Sequence, residues 1–132
     1  MKIAVPNKGS LADSSIQILK EAGYRQRSDS RDLIIYDQDN DVEFYYLRPR
    51  DIALYVGNGE LTAGITGRDL LIDSAANAEE ILALDFGGST FRFAGRDKLD
   101  LGENDLEGKR IATAYPGLVS NYLEAKKIDA QV

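Results

Sequence analysis

The chain has 132 residues, 43% hydrophobic and 29% charged, which suits one ordinary globular domain or two small lobes and not a disordered segment. It contains neither histidine nor cysteine, which excludes disulfides, thiol or imidazole catalysis, a Ser-His-Asp triad and a structural zinc site. A net charge of −6 argues against nonspecific nucleic-acid binding, yet a few local lysines and arginines can still hold a small anion.

Lys2–Val5 reads as a first buried strand, ended by Pro6 and Asn7. No signal peptide precedes it and no apolar run reaches membrane-spanning length, so a cytoplasmic protein without membrane or nucleic-acid partners is expected. Ser10 is placed to cap a helix carrying Leu11, Ile16, Leu19 and Ala22 at helical spacing, with Gly23 as its stop. Leu33–Tyr36 and Val42–Leu47 predict two strands joined by the polar run Asp37–Asp41, hence an antiparallel hairpin. Arg48-Pro49 breaks the second strand, and Pro49 suits the first position of a helix with Ile52, Tyr55 and Val56 on one face. Gly57-Asn58-Gly59 ends that helix.

A strand around Leu61–Ile65 then meets Thr66-Gly67 and a helix from about Arg68 to Ser74. Glu80–Phe86 and Phe91–Ala94 predict further strands. From Arg96 to Lys109 the composition turns charged and glycine-containing, as in a connection or hinge. Arg110–Ala114 predicts another strand, Tyr115-Pro116-Gly117 a turn, and Leu118–Lys127 a helix with Leu118, Tyr122 and Leu123 inward. Gln131-Val132 opens a last strand.

Three polar, basic-flanked turns follow three apolar strands: Pro6–Ser10, Leu47–Asp51 and Ile65–Asp69. In a parallel sheet they share one edge, the edge where such folds bind ligands. Lys8 beside exposed backbone amides suits phosphate, or is a solvated surface lysine. Arg48, mounted between a strand end and a proline, suits bidentate anion binding, or pairs with Asp51 or Asp69. Gly9 and Gly67 let backbone approach a ligand, and Thr66 sits between strand and helix. Asp69 accepts a hydrogen bond from a ribose hydroxyl or an amine, or complements its helix dipole. Tyr115, with Pro116 after it, stacks on a base or simply packs. No carboxylate pair has a spacing that specifies acid–base work, and the residues alone point to an α/β protein binding a phosphorylated or carboxylated small molecule.

The ordered motifs Ile3–Gly9, Leu47–Ile52, Gly64–Leu70 and Arg110–Pro116 resemble the N-terminal half of ATP phosphoribosyltransferase, in its long actinobacterial form. The resemblance covers essentially the whole chain. It implies a magnesium-dependent enzyme of histidine biosynthesis that joins ATP to phosphoribosyl pyrophosphate, with AMP as a nucleotide ligand. It implies an α/β fold with a mixed, mostly parallel sheet, built as a lobe like those of type II periplasmic binding proteins, and assembly as a homo-oligomer, here expected to be a dimer. Residues 1–95 are then a first catalytic lobe, incomplete; 96–108 a connection; and 109–132 the start of a second lobe, or the last β-α unit of a single flavodoxin-like sheet. Lys8, Gly9, Arg48, Thr66, Gly67 and Asp69 fall on the first-lobe side of the cleft, and Tyr115 and Pro116 on the second-lobe side. Magnesium is expected to arrive with the phosphate substrate, with no metal site of the chain's own.

Four positions depart from the family pattern. Thr62-Ala63 stands where an acidic and an apolar residue are usual, Gly117 where asparagine is usual, and Ser120 where a basic residue is common. The family's loop for the 5-phosphate of phosphoribosyl pyrophosphate lies beyond residue 132, so these 132 residues alone are expected to be inactive. A noncatalytic single-lobe binding or scaffold module is the rival reading, and a secreted solute-binding protein a more distant one.

Overall fold

Four strands build one sheet in the computed structural model, which describes residues 1–96 and 102–132. They are β1 (Lys2–Pro6), β2 (Ile34–Asp37), β3 (Val42–Leu47) and β4 (Ala63–Gly64), in the spatial order β2-β3-β1-β4. β1 runs parallel to both β3 and β4, whereas β2 and β3 form the antiparallel hairpin that the sequence predicts. The sheet is therefore mixed and mostly parallel. Two compact units divide the chain, Met1–Gly88 and Ser89–Val132, and the sheet belongs to the first.

Side-chain alternation decides what covers each face of that sheet. Val42, Phe44 and Tyr46 of β3 are buried with Val5 of β1, and Ile16 and Leu19 of α1 (Ala12–Glu21) pack against them. Glu43, Tyr45 and Leu47 point to the other face. There Ala4, Ile52 and Leu61 form a second cluster with Tyr45, Leu47 and Val56, covered by α2 (Pro49–Gly57). Full burial of side chains such as Phe44, Tyr46 and Ile52 contributes roughly 1.5–3 kcal/mol each. Tyr55, expected on the inner face of α2, is 40% exposed, and Ala53 takes its place inside.

Local chemistry sets the ends of these elements. α1 stops where Gly23 adopts φ +89°, with the Gly23 and Tyr24 amides closing onto Lys20 and Leu19. Ser10 does not cap α1, contrary to expectation: Gly9 bends the chain, the Ala12 amide bonds the Gly9 carbonyl at 3.1 Å, and the helix starts one residue later than expected, with Leu11 at the cap position. The hairpin loop is organised by Asp37, whose buried carboxylate accepts the Arg25 amide and the Asn40 side chain, each at 2.8 Å. Gly64 is required by packing. A Cβ built there collides with the Ile52 Cγ2 atom of α2.

After β4, α3 (Arg68–Ser74) ends at Ala75 in the left-handed region. The strands expected at Glu80–Phe86 and Phe91–Ala94 are not formed. A strand needs a partner's hydrogen bonds; among the described residues these segments form no such ladder, and Asp85 interrupts the first at φ 56°. Ile81 and Leu82 are instead 84% and 71% exposed. The connection expected over 96–108 falls partly on residues 97–101, outside the described residues; Glu103–Leu106 form a 3-10 turn.

In the second unit, the strand expected over Arg110–Ala114 shrinks to one parallel bridge, Arg110 with Gln131, flanked by the Ile111 amide on the Gln131 carbonyl at 2.7 Å. α4 (Pro116–Lys126) buries Leu123, leaves Leu118 half-buried and Tyr122 36% exposed. Phe91 meets Tyr115 edge-on at 5.0 Å between ring centroids, and Phe93 meets Tyr122 at 5.5 Å.

Candidate functional site

Because β3, β1 and β4 are neighbours and parallel, the turns that follow them lie side by side on one edge of the sheet. Pro6 and Leu47 are register partners, and the Asn7 amide continues the ladder onto the Leu47 carbonyl at 2.7 Å. Arg48 therefore leaves β3 level with Asn7, and Lys8 follows one residue further along the adjacent turn. On the other flank, the Ile65 amide bonds the Ala4 carbonyl at 3.0 Å. The Thr66 hydroxyl then donates to the Pro49 carbonyl at 2.7 Å, which ties the β4–α3 turn to the first turn of α2. Lys8, Gly9, Arg48, Thr66 and Gly67 are thus brought to one edge.

Their side chains differ in what already occupies them. Lys8 and Arg48 are exposed, and among the described residues neither makes an ion pair. The Arg48 pairing with Asp51 or Asp69 is not formed. Arg48 has extended backbone (φ −64°, ψ 135°) at the position before α2, with Pro49 fixing the next residue. Gly9 sits at φ +88°. The backbone N–H groups of Lys8, Gly9 and Ser10 have no protein acceptor among the described residues. Two free cations and a run of free amides on a chain of net charge −6 make a local anion-attracting edge.

Asp69 is oriented differently. A Cβ built on Gly67 would run into its carboxylate, so that group lies over the start of its own helix, as a dipole complement does. Neighbouring Arg68 turns outward and forms a two-bond fork with Glu80, at 2.6 and 2.7 Å. Each partner shifts the other: the Arg68 fork lowers the Glu80 carboxyl, and Glu80 raises the Arg68 guanidinium. Arg50 is drawn to Asp73 of α3 at 2.9 Å.

Tyr115 and Pro116 belong to the second unit, where Pro116 is the first residue of α4 and Tyr115 precedes it. The Tyr115 amide bonds the Thr113 hydroxyl at 3.0 Å, and its ring takes the edge of Phe91. Gly117 and Ser120 lie in the first turns of α4, half-buried and exposed. The departure at Thr62 is remote from the three turns. Thr62 pairs with Lys2, amide to carbonyl at 2.9 Å, at the opposite end of β1.

Sequence reasoning missed Arg27. It reads as one charge in the run Arg25-Gln26-Arg27-Ser28-Asp29, yet only 8% of it is exposed. Its guanidinium lies 4.1 Å over the Tyr46 ring and donates to the carbonyls of Asn7 (2.6 Å), Ser30 (2.9 Å) and Asp32 (3.2 Å). Nothing local signals this, because the ring and the Asn7 carbonyl are about 20 residues away in sequence. Nearby, the Asn7 Oδ1 atom is buried without a hydrogen-bond partner.

Among the described residues, no group of three or more acidic side chains is placed to hold a metal, and no helix is long and apolar enough to cross a membrane.

Comparison with known proteins bears on the same residues. The family described as HisG: ATP phosphoribosyltransferase matches residues 48–132. The chain is 57% identical over 132 residues to an ATP phosphoribosyltransferase of Pseudarthrobacter chlorophenolicus, and 58% identical to one of Streptomyces avermitilis. Each alignment covers all of this chain and 46% of the relative, so the chain spans just under half the length of these curated relatives. Among solved structures, an ATP phosphoribosyl transferase (HisG:HisZ) complex from Thermotoga maritima matches with a TM-score of 0.67 at 22% identity. That alignment covers 99% of this chain and 62% of the other, a likeness of fold.

Proposed function

The chain belongs to the ATP phosphoribosyltransferase family, as the N-terminal portion of its long actinobacterial form, and from that premise we propose that its strand-end edge is the substrate-facing wall of the first catalytic lobe. The observation that carries this reading is the pairing of Lys8 and Arg48. They are two cations that, among the described residues, make no ion pair, on the ends of adjacent parallel strands beside amides without a protein acceptor there, in an otherwise acidic chain. The reaction is the first of histidine biosynthesis: N1 of the adenine of ATP attacks the ribose C1 of phosphoribosyl pyrophosphate, and pyrophosphate leaves.

Such a transfer asks little of protein acids and bases, which suits a chain without histidine or cysteine. Positioning of the two substrates and stabilisation of the departing pyrophosphate dominate. Lys8 and Arg48 supply charge to phosphate oxygens, Arg48 through a fork that matches them in two bonds. Gly9 and Gly67 keep backbone close to the ligand, and Thr66 holds its turn in place. Asp69 contributes mainly by ordering the start of α3. Tyr115 and Pro116, at the start of α4 in the second unit, are further nucleotide-contacting residues in this reading. Magnesium, bound through the phosphates, would neutralise the leaving charge.

We place the lobes at 1–95 and from 109 onward, with 96–108 connecting them, in the manner of type II periplasmic binding proteins. The enzyme works in the cytoplasm as a homo-oligomer. Titration of the 132-residue chain with AMP and with pyrophosphate, followed by amide NMR, tests the reading. Shifts at Lys8, Gly9 and Arg48 are expected; no shift at any of them overturns it. The same polypeptide, given ATP, phosphoribosyl pyrophosphate and magnesium, is expected to release no pyrophosphate. Binding without turnover in the full-length enzyme would instead favour a noncatalytic module.

A further inference from the structure

Arg27 is a buried cation, with the Asp29 carboxylate near enough to feel its charge but not bonded to it. Among the described residues it makes no ion pair, and it spends its donors on the carbonyls of Asn7, Ser30 and Asp32. Taking a guanidinium out of water for three carbonyls and a ring face is costly, and an apolar side chain packed there is an easier way to fill space. Its bonds are directed to loop backbone, and the shortest, 2.6 Å, goes to the turn that follows β1.

That bond orients the Asn7–Lys8 peptide plane, through the Asn7 carbonyl. The preceding plane is held by the Asn7 amide, which bonds Leu47 at 2.7 Å. Among the described residues every peptide is trans. In a trans peptide the carbonyl of one residue and the N–H of the next point in opposite directions. With the Asn7 carbonyl turned onto Arg27, the Lys8 N–H must point away from Arg27, and it has no protein acceptor among the described residues. A cation on the carbonyl side also polarises the peptide and strengthens that N–H as a donor.

We propose that Arg27 is a positioning residue: its fork holds the Asn7 carbonyl, and so aims the Lys8 and Gly9 amides at an incoming phosphate group. The inference rests on the anion-binding reading of this edge given above. Arg27 does not touch the ligand itself, being covered by Tyr46 and three carbonyls.

The test uses Arg27→Lys in the full 132-residue chain, with pyrophosphate as the probe. Lysine keeps the charge but has no planar fork to serve three carbonyls at once. In the wild type the Asn7–Ser10 amides are expected to be as rigid as those of β1 by 15N relaxation. In Arg27→Lys they become mobile while the melting temperature and the β1 and β3 resonances hold, and pyrophosphate binds at least tenfold more weakly. Arg25→Ala, an exposed neighbour, leaves both unchanged. Should Arg27→Lys not fold, Arg27→Gln carries the same test, because its shorter amide cannot serve the three carbonyls that the guanidinium holds. Rigid turn amides and undiminished affinity in the variant overturn the proposal, as does a pyrophosphate shift centred on the Arg27 Nε. If the wild type binds no pyrophosphate while the variant's turn still loosens, the anion site is what fails, and the hold of Arg27 on the turn stands.

Discussion

Arg50 Nη1 lies 2.9 Å from the Asp73 carboxylate, and the Asp73 side chain is only 5% exposed, so the bond joins the first turn of α2 to α3. Arg48, two residues earlier, has no such partner. Arginines that look equivalent in Arg48-Pro49-Arg50 therefore have different work, one at the strand-end edge and one between helices.

Arg48→Ala is expected to weaken pyrophosphate or AMP binding by about 1.5–3 kcal/mol, the worth of a charged hydrogen bond, with little effect on melting. Arg50→Ala should do the reverse. It takes a partner from a nearly buried carboxylate and lowers stability by about 1–3 kcal/mol while affinity holds. Calorimetric titration and thermal unfolding of both variants check the pair. Equal affinity losses would remove Arg48 from the site.

Gly64→Ala is expected to destabilise the first unit by about 1–3 kcal/mol, because the added methyl meets Ile52 and Ala4 across the α2–β4 contact. Gly88→Ala, where an added Cβ meets nothing within 4 Å, is the control. Denaturant unfolding decides between them; equal midpoints would show that α2 can shift to make room.

Asp37 gives the fold an acid dependence. The Arg25 amide, then the Asn40 side chain, hold its carboxyl below the ordinary value of 3.8. A depressed carboxyl stabilises the fold at pH above its unfolded value, and that contribution is lost as pH falls through the folded value. The stability gap between wild type and Asp37→Asn should thus be full well above the ordinary value of 3.8 and narrow as pH falls below it. A gap that stays constant across this range would show that the hairpin loop does not depend on the charge.

What the sequence made legible is the part governed by neighbours in the chain. The hairpin at Asp37–Asp41, the proline start of α2 and the glycine stop after α1 each depend on a few adjacent residues. So does the edge itself, because apolar strands followed by polar turns place Lys8 and Arg48 once the strands are parallel. Arg27 was not legible, since its burial depends on Tyr46 folding over it from β3. Nor was the fate of Glu80–Phe86, which has strand composition; pairing is decided by partners elsewhere and not by the segment's own residues. Ser10 fails as a cap for a local reason that pattern reading overlooked: the Gly9 bend sets the helix start one residue later.

Association is the remaining expectation. β2 is the outer strand of the sheet, and Ile34 and Tyr36 on it are 56% and 48% exposed, with Leu33 before them at 60%. An apolar outer strand is a template for pairing with another chain. Ile81 and Leu82 add a second exposed apolar stretch. Pairing through Phe91–Ala94 is less favoured than composition suggests, because the Phe91 and Phe93 rings already lie against Tyr115 and Tyr122. The 132-residue chain is therefore expected to form a dimer, with β2 rather than Phe91–Ala94 at the contact. Light scattering behind a sizing column reads the mass, and Ile34→Lys should shift it toward monomer without lowering the melting temperature of the first unit. A clean 14.5 kDa monomer for the wild type, unfolding cooperatively, would overturn the expectation and leave both apolar stretches solvated.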